Sequence, residues 1–132
     1  MQLYQRIKAF VKLGLFLKKL SSVKNKDVVF NKALLQNNFF TKENICYSLS
    51  TFSKLLKKKS LEKWLVSYDL SKKRTYSILV ICAGNIPLVC FHDILCVLLT
   101  GNKLILKPSN KDNVLPILVL NKLIEIQPKF SK

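Results

Sequence analysis

The sequence predicts an α/β chain, with N-terminal helices followed by a βαβα unit of a parallel, Rossmann-like sheet. Three observations carry the prediction. The apolar run Tyr76 to Ala83 ends abruptly at Gly84-Asn85. An apolar stretch of helical character follows, from about Leu88 to Leu99, and Gly101 stops it. A second short apolar run, Leu104 to Leu106, then ends at Lys107-Pro108-Ser109. Strand, loop, helix, turn and strand make a βαβ unit, which is right-handed in nearly all proteins. The chain divides into an N-terminal helical region, 1–75, and the βαβα unit, 76–132. Open α/β sheets bind ligands outside the carboxyl ends of their strands. The two loops there, Gly84-Asn85-Ile86-Pro87 and Lys107-Pro108-Ser109-Asn110, are the expected location of any chemistry.

In order, residues 3–20 place Leu3, Ile7, Phe10, Leu13, Leu17 and Leu20 on one helical face, with Lys8, Lys12 and Lys19 off it. Such a basic amphipathic helix suits a membrane surface or the cap of a domain, and the cap is the favoured reading. Asp27 to Phe30 reads as a short extended piece or a loop. Thr41 is placed to cap a helix from Lys42 to about Lys58, with Glu43 favourable to its dipole. Its stripe is Ile45, Leu49, Phe52, Leu55 and Leu56. Ser60 is a candidate cap for a short helix bearing Leu61, Trp64, Leu65 and Tyr68, and Asp69 to Thr75 is a basic connector. The strand from Tyr76 is continuously apolar, which predicts burial on both faces. Asp112 or Asn113 is the candidate cap of a last helix through Val114, Leu118, Leu120, Leu123 and Ile124. Pro116 falls in its first turn, where a missing N–H does no harm. Two parallel strands do not stand alone as a sheet. Further strands are expected from more chain or from a partner.

Composition bounds the function. A chain of 132 residues with 49% hydrophobic residues holds one modest core. Lys and Arg number 23 against 7 Asp and Glu, a net charge of +16. That charge suits polyanions such as nucleic acid, anionic lipid or phosphorylated cofactors. No aromatic residues alternate with the basic runs Lys57-Lys58-Lys59 and Lys72-Lys73-Arg74, which argues against a base-stacking surface. Cys46, Cys82, Cys90 and Cys96 form no CxxC pair, and His92 is the single histidine, so no zinc pattern exists. The cysteines read as free thiols in a reducing, cytoplasmic setting. The stretch Ile78 to Thr100 is interrupted by Gly84-Asn85, Pro87 and His92-Asp93, and reads as strand plus helix rather than a membrane span. No GxGxxG, GxxxxGK[ST] or GxSxG motif is present.

Within the loops, Gly84 permits close backbone approach. Asn85 places an amide donor at a strand's carboxyl end, where it can stabilise an oxyanion. Pro87 fixes the entry to the helix, and the Lys107 ammonium can reach a phosphate or a ribose hydroxyl. His92 sits near the start of the helix, as a candidate base or a structural residue.

The run AGNIPLVCFHDILCVLLTGNKLILKPSNKD, Ala83 to Asp112, resembles the acyl-CoA reductase family that includes the fatty-acid reductase of bacterial bioluminescence. That family lies in the aldehyde dehydrogenase superfamily. NNFFTKENICYSL, Asn37 to Leu49, and the W-L-x-x-Y of Trp64 to Tyr68 are also similar to it, and the likeness runs from near residue 1 to about Pro128. The resemblance implies an incomplete aldehyde-dehydrogenase-like cofactor domain. It implies NADPH-dependent reduction of fatty acyl-CoA to fatty aldehyde through a thioester on an enzyme cysteine. By resemblance Asn85 is the oxyanion-stabilising asparagine, and Ile86 and Pro87 shape the cofactor wall. Lys107, Pro108 and Ser109 match the Lys-Pro-Ser motif that contacts the adenosine ribose of the cofactor.

Cys90 departs from the glycine usual in that family. None of the four cysteines matches the nucleophile's position. That nucleophile, the second glycine-rich loop and the rest of the sheet are expected in a later portion or a complementing chain. The expectation is an N-terminal segment of such a reductase, inactive alone. The alternatives are a basic non-enzymatic module for nucleic acid or anionic membrane, and a degenerate gene remnant.

Overall fold

In the computed structural model, which describes residues 1–22, 28–71 and 74–131, helices precede a small parallel sheet. The helices are α1 (Leu3–Ser22), α2 (Val28–Gln36), α3 (Lys42–Leu55) and α4 (Lys58–Leu65). Then come β1 (Ser77–Ile81), α5 (Phe91–Leu99), β2 (Lys103–Lys107), α6 (Val114–Ile126) and a terminal 3₁₀ turn, Pro128–Ser131. The chain is therefore mixed α/β, an incomplete Rossmann-like unit behind a helical N-terminal half. None of the described helices is long and apolar enough to cross a membrane.

The 3.6-residue period of α1 buries Ala9, Phe10, Leu13, Leu17 and Leu20 along one side. That stripe lies chiefly on α3, and α1 also touches α4, α5 and α6. Arg6, buried in the same helix, donates from Nε to the carbonyl of Leu99 at 2.8 Å and from Nη1 to the carbonyl of Met1. The bond to Leu99 gives one of the last carbonyls of α5 a charged partner. Gly101, with φ +85°, makes the left-handed exit from that helix under the Arg6 guanidinium.

β1 and β2 are parallel, with Ser77 beside Lys103, Leu79 beside Ile105 and Ile81 beside Lys107. Lys103 N–H donates to the Tyr76 carbonyl at 2.8 Å, and Cys82 N–H to the Lys107 carbonyl at 2.9 Å, closing the ladder at both ends. α5 packs on one face of the pair, where Val80 is buried. The other face is open: Leu79 is 55%, Ile81 67% and Ile105 53% exposed. Burial on both faces, expected from the continuous apolarity of β1, is thus not found. Among the described residues the helical packing lies on one side, and apolarity records a face that needs cover, not one that has it.

Other expectations are corrected locally. Asp27 to Phe30 was expected to be extended or loop; Asp27 lies outside the described residues, and Val28 already begins α2. Its Phe30 and Ala33, three apart, are buried together. Thr41 does cap α3: its hydroxyl accepts from Asn44 N–H at 3.1 Å, and Asn44 Oδ1 accepts from Thr41 N–H at 2.9 Å. That helix ends at Leu55, because Leu56 turns into the core and Lys57 already starts the next helix. Ser60 does not cap α4. Lys57 holds the N-cap without a side-chain bond, and Ser60 lies within the helix. α5 starts at Phe91 rather than near Leu88, whose backbone is left-handed (φ +59°).

Candidate functional site

The two strand-end loops meet. Gly84 is buried, and a Cβ on it would lie 2.8 Å from Ser109 Cβ, 2.9 Å from Lys111 Cβ and nearer still to the Ser109 hydroxyl. Glycine alone permits that approach. It draws the segment carrying Asn85 against the segment carrying Lys107, Pro108 and Ser109. Asn85 and Lys107 are exposed, Ile86 is exposed beside Asn85, and Pro87 is buried as the chain turns toward α5. Pro108 and Ser109 are half-buried, and Ser109 Oγ accepts from Lys111 N–H at 3.2 Å. An isolated antiparallel bridge, Ser109 to Asp112, tightens this loop. An open cavity of about 570 Å³ lies over the junction, lined by Asn37, Phe39, Ala83, Gly84, Asn85 and Lys111.

A third segment holds both loops. Asn37, buried at the α2–α3 corner, donates from Nδ2 to the Gly84 carbonyl at 2.7 Å, and its Oδ1 accepts from Phe39 N–H at 2.9 Å. The neighbouring Gln36 reaches the other loop. Its Nε2 donates to Asn113 Oδ1 at 2.7 Å, and its Oε1 accepts from the N–H groups of Asn113 and Val114 at 3.4 and 3.3 Å. Asn113 holds the N-cap of α6, as the sequence suggested, but makes no side-chain bond to the helix; Gln36 of α2 accepts from the first N–H groups instead, and Asp112 does not cap. Gln36 and Asn37 were not singled out in the sequence. The Asn-Asn pair, with its Asx-turn tendency, was the available signal.

Asp112 is turned inward, 2% exposed, where its Oδ2 accepts from Leu88 N–H at 2.7 Å and its Oδ1 has no partner. Burial pushes this carboxyl up to about 6, against the downward pull of the Leu88 hydrogen bond. The bond holds Leu88 in a conformation that leucine rarely adopts, with its side chain fully buried. Cys90 stands close by. Burial first, then the Cys82 thiol and Asp112, raise its thiol well above the ordinary range.

His92 is not part of this junction. It sits on α5 with its ring 5.5 Å from that of Trp64 and its Nδ1 3.7 Å from Cys96 Sγ. The Cys96 thiol is also raised, by burial and then by Asp93. No cluster of metal-ligating side chains occurs among the described residues.

The junction offers an exposed amide donor, an exposed ammonium and an exposed apolar residue, Ile86, at the carboxyl ends of two parallel strands. A protein-family model for acyl-CoA reductase (LuxC) matches residues 10–131. Comparisons with curated proteins and with solved structures found no match. With nearly its whole length matched, the chain belongs to the acyl-CoA reductase (LuxC) family.

Proposed function

We propose that residues 1–132 supply the oxyanion-stabilising loop and part of the NADPH-binding surface of a fatty acyl-CoA reductase built on the aldehyde dehydrogenase plan. The observation that supports the reading is the Gly84–Ser109 contact, which brings the loop after β1, bearing Asn85, against the loop after β2, which follows Lys107. Asn85 is exposed and its amide has no hydrogen-bond partner among the described residues, as a donor waiting for substrate oxygen requires. Its N–H stabilises the charge that grows on the acyl oxygen as the carbonyl carbon is reduced.

The residues present fit the cofactor. Lys107 is exposed at a strand's carboxyl end with no ion pair among the described residues, suited to a phosphate or ribose oxygen, and Ser109 Oγ accepts from Lys111 N–H and can still donate its own proton. Ile86 offers an exposed apolar wall, and buried Pro87 fixes its direction. NADPH supplies the hydride when bound.

Cys82, Cys90 and Cys96 are poor nucleophiles by position, and Cys46 lies within α3 rather than in the strand-end loops. Cys82 and Cys90 are buried, and Cys90 and Cys96 are raised where an attacking thiol is lowered. The acyl-accepting cysteine is therefore assigned to a further portion of polypeptide or a complementing chain, in the cytoplasm. Residues 1–132 alone are expected to form no aldehyde from fatty acyl-CoA and NADPH.

The test is made in a complete reductase containing this segment. Asn85→Ala is expected to lower kcat by about 10²–10³ with the KM for NADPH little changed. Lys107→Ala is expected to raise the KM for NADPH with a smaller effect on kcat. An Asn85→Ala enzyme of full kcat would overturn the reading.

A further inference from the structure

Lys111 stands where the two strand-end loops meet. Its Cβ is 2.9 Å from where a Cβ on Gly84 would lie, and Gly84 is the residue before Asn85. The loop after β2 folds back to bring it there. The Ser109–Asp112 bridge and the Lys111 N–H, donated to Ser109 Oγ, close that turn. Asp112 turns inward to Leu88 N–H, and Lys111 is exposed with no ion pair among the described residues. Lys111 lines the open cavity of about 570 Å³ together with Asn85, and no acid lines it among the described residues. Phe39 lines the same cavity, 80% exposed, with its N–H held by Asn37 Oδ1. An aromatic ring near a cation displaces water and strengthens the attraction for an anion.

We infer that Lys111 binds the diphosphate bridge of the dinucleotide, which sits in the cavity lined by Phe39. The inference rests on the reading of Asn85 and Lys107 given above. A dinucleotide with its adenosine ribose at Lys107 and its nicotinamide toward Asn85 lays its diphosphate between the two. The surface there is the Gly84–Ser109 junction, and Lys111 is the cation that belongs to it. A lysine ammonium meets phosphate oxygens as a point charge through charge-assisted hydrogen bonds. Acyl-CoA also carries a diphosphate, but a pantetheine arm separates it from the thioester. In NADPH one ribose separates the diphosphate from the nicotinamide. Lys111, packed against the residue before Asn85, suits the shorter span.

The test uses the complete reductase containing this segment. Isothermal titration calorimetry reads the binding of NADPH, of CoA and of adenosine 2′-monophosphate, which keeps the ribose and its 2′-phosphate but lacks the diphosphate. Lys111→Ala is expected to weaken NADPH about tenfold and to leave the other two within about twofold. Lys111→Arg is expected to restore most of the loss, and Lys107→Ala to weaken NADPH and adenosine 2′-monophosphate alike. Alanine keeps the Cβ beside Gly84, so unchanged urea unfolding certifies the variant. Unchanged NADPH affinity in Lys111→Ala, an equal loss for adenosine 2′-monophosphate, or a loss confined to CoA would overturn the inference. Sensitivity to Lys107→Ala with indifference to Lys111→Ala fells this inference alone. Indifference of both nucleotides to Lys107→Ala fells the parent reading, and this one with it.

Discussion

Gly84 and Ser109 are packed so tightly that a Cβ added to Gly84 would lie 2.8 Å from the Cβ of Ser109. Gly84→Ala therefore forces the two strand-end loops apart, and overpacking of this kind costs about 1–3 kcal/mol. Urea unfolding is expected to show that loss. Ser109→Gly removes the obstructing atoms, so the double variant is expected to recover part of it. A double variant no better than Gly84→Ala would assign the cost to Lys111 Cβ, at 2.9 Å.

Asp112 makes stability depend on pH. Its carboxyl titrates near 3.8 in ordinary surroundings and at about 6 in the fold, because burial disfavours its charge. Between those values the folded state holds more protons than the unfolded one, so stability falls as pH rises. The contribution is complete below about pH 4 and gone above about pH 6, and amounts to about 3 kcal/mol at ~1.4 kcal/mol per pH unit. Asp112→Asn keeps an acceptor for Leu88 N–H without the charge. Urea unfolding of this variant is expected to be flatter across that window, with a higher midpoint than the parent at pH 7.5.

The α2–α3 corner is expected to be sensitive at two neighbouring positions. Asn37→Ala leaves the Gly84 carbonyl without its buried donor, a loss of about 1–3 kcal/mol. Gln36→Ala removes the side-chain acceptor at the start of α6, about 1 kcal/mol. Hydrogen exchange separates them: the Gln36 change is expected to speed exchange in the first turn of α6, at Val114 to Ile117.

Asn85→Ala and Lys107→Ala are expected to leave unfolding within about 0.5 kcal/mol of the parent, since both side chains are exposed. Residues kept for chemistry are separated in this way from residues kept for packing.

Much of this architecture was legible in the residues. The β1–α5–β2 order followed from apolar runs stopped by Gly84 and Gly101, and the α1 stripe from its spacing. The Thr41 cap followed from a hydroxyl preceding the helix. Gly84 was expected to allow close approach, and it does, against Ser109. What stayed hidden depended on distant partners. Asp112 looks like a helix cap because local sequence offers it Asn113 and Val114; the fold offers it Leu88 instead, and Gln36 supplies the α6 acceptor from 77 residues away. α2 was missed because a nine-residue helix with two buried residues shows little period. The open sheet face was missed because apolarity does not say whether cover is present.

The two bonds from the α2–α3 corner also set an order of events. Asn37 meets Gly84 across 47 residues and Gln36 meets Asn113 across 77, so neither tie can form from local chain alone. Helices such as α1 and α3 form within their own segments, whereas such distant closures are slow. On a ribosome, the corner waits until the chain beyond Asn113 has emerged. The junction that carries Asn85 and Lys107 is thus among the last parts of this fold to take shape.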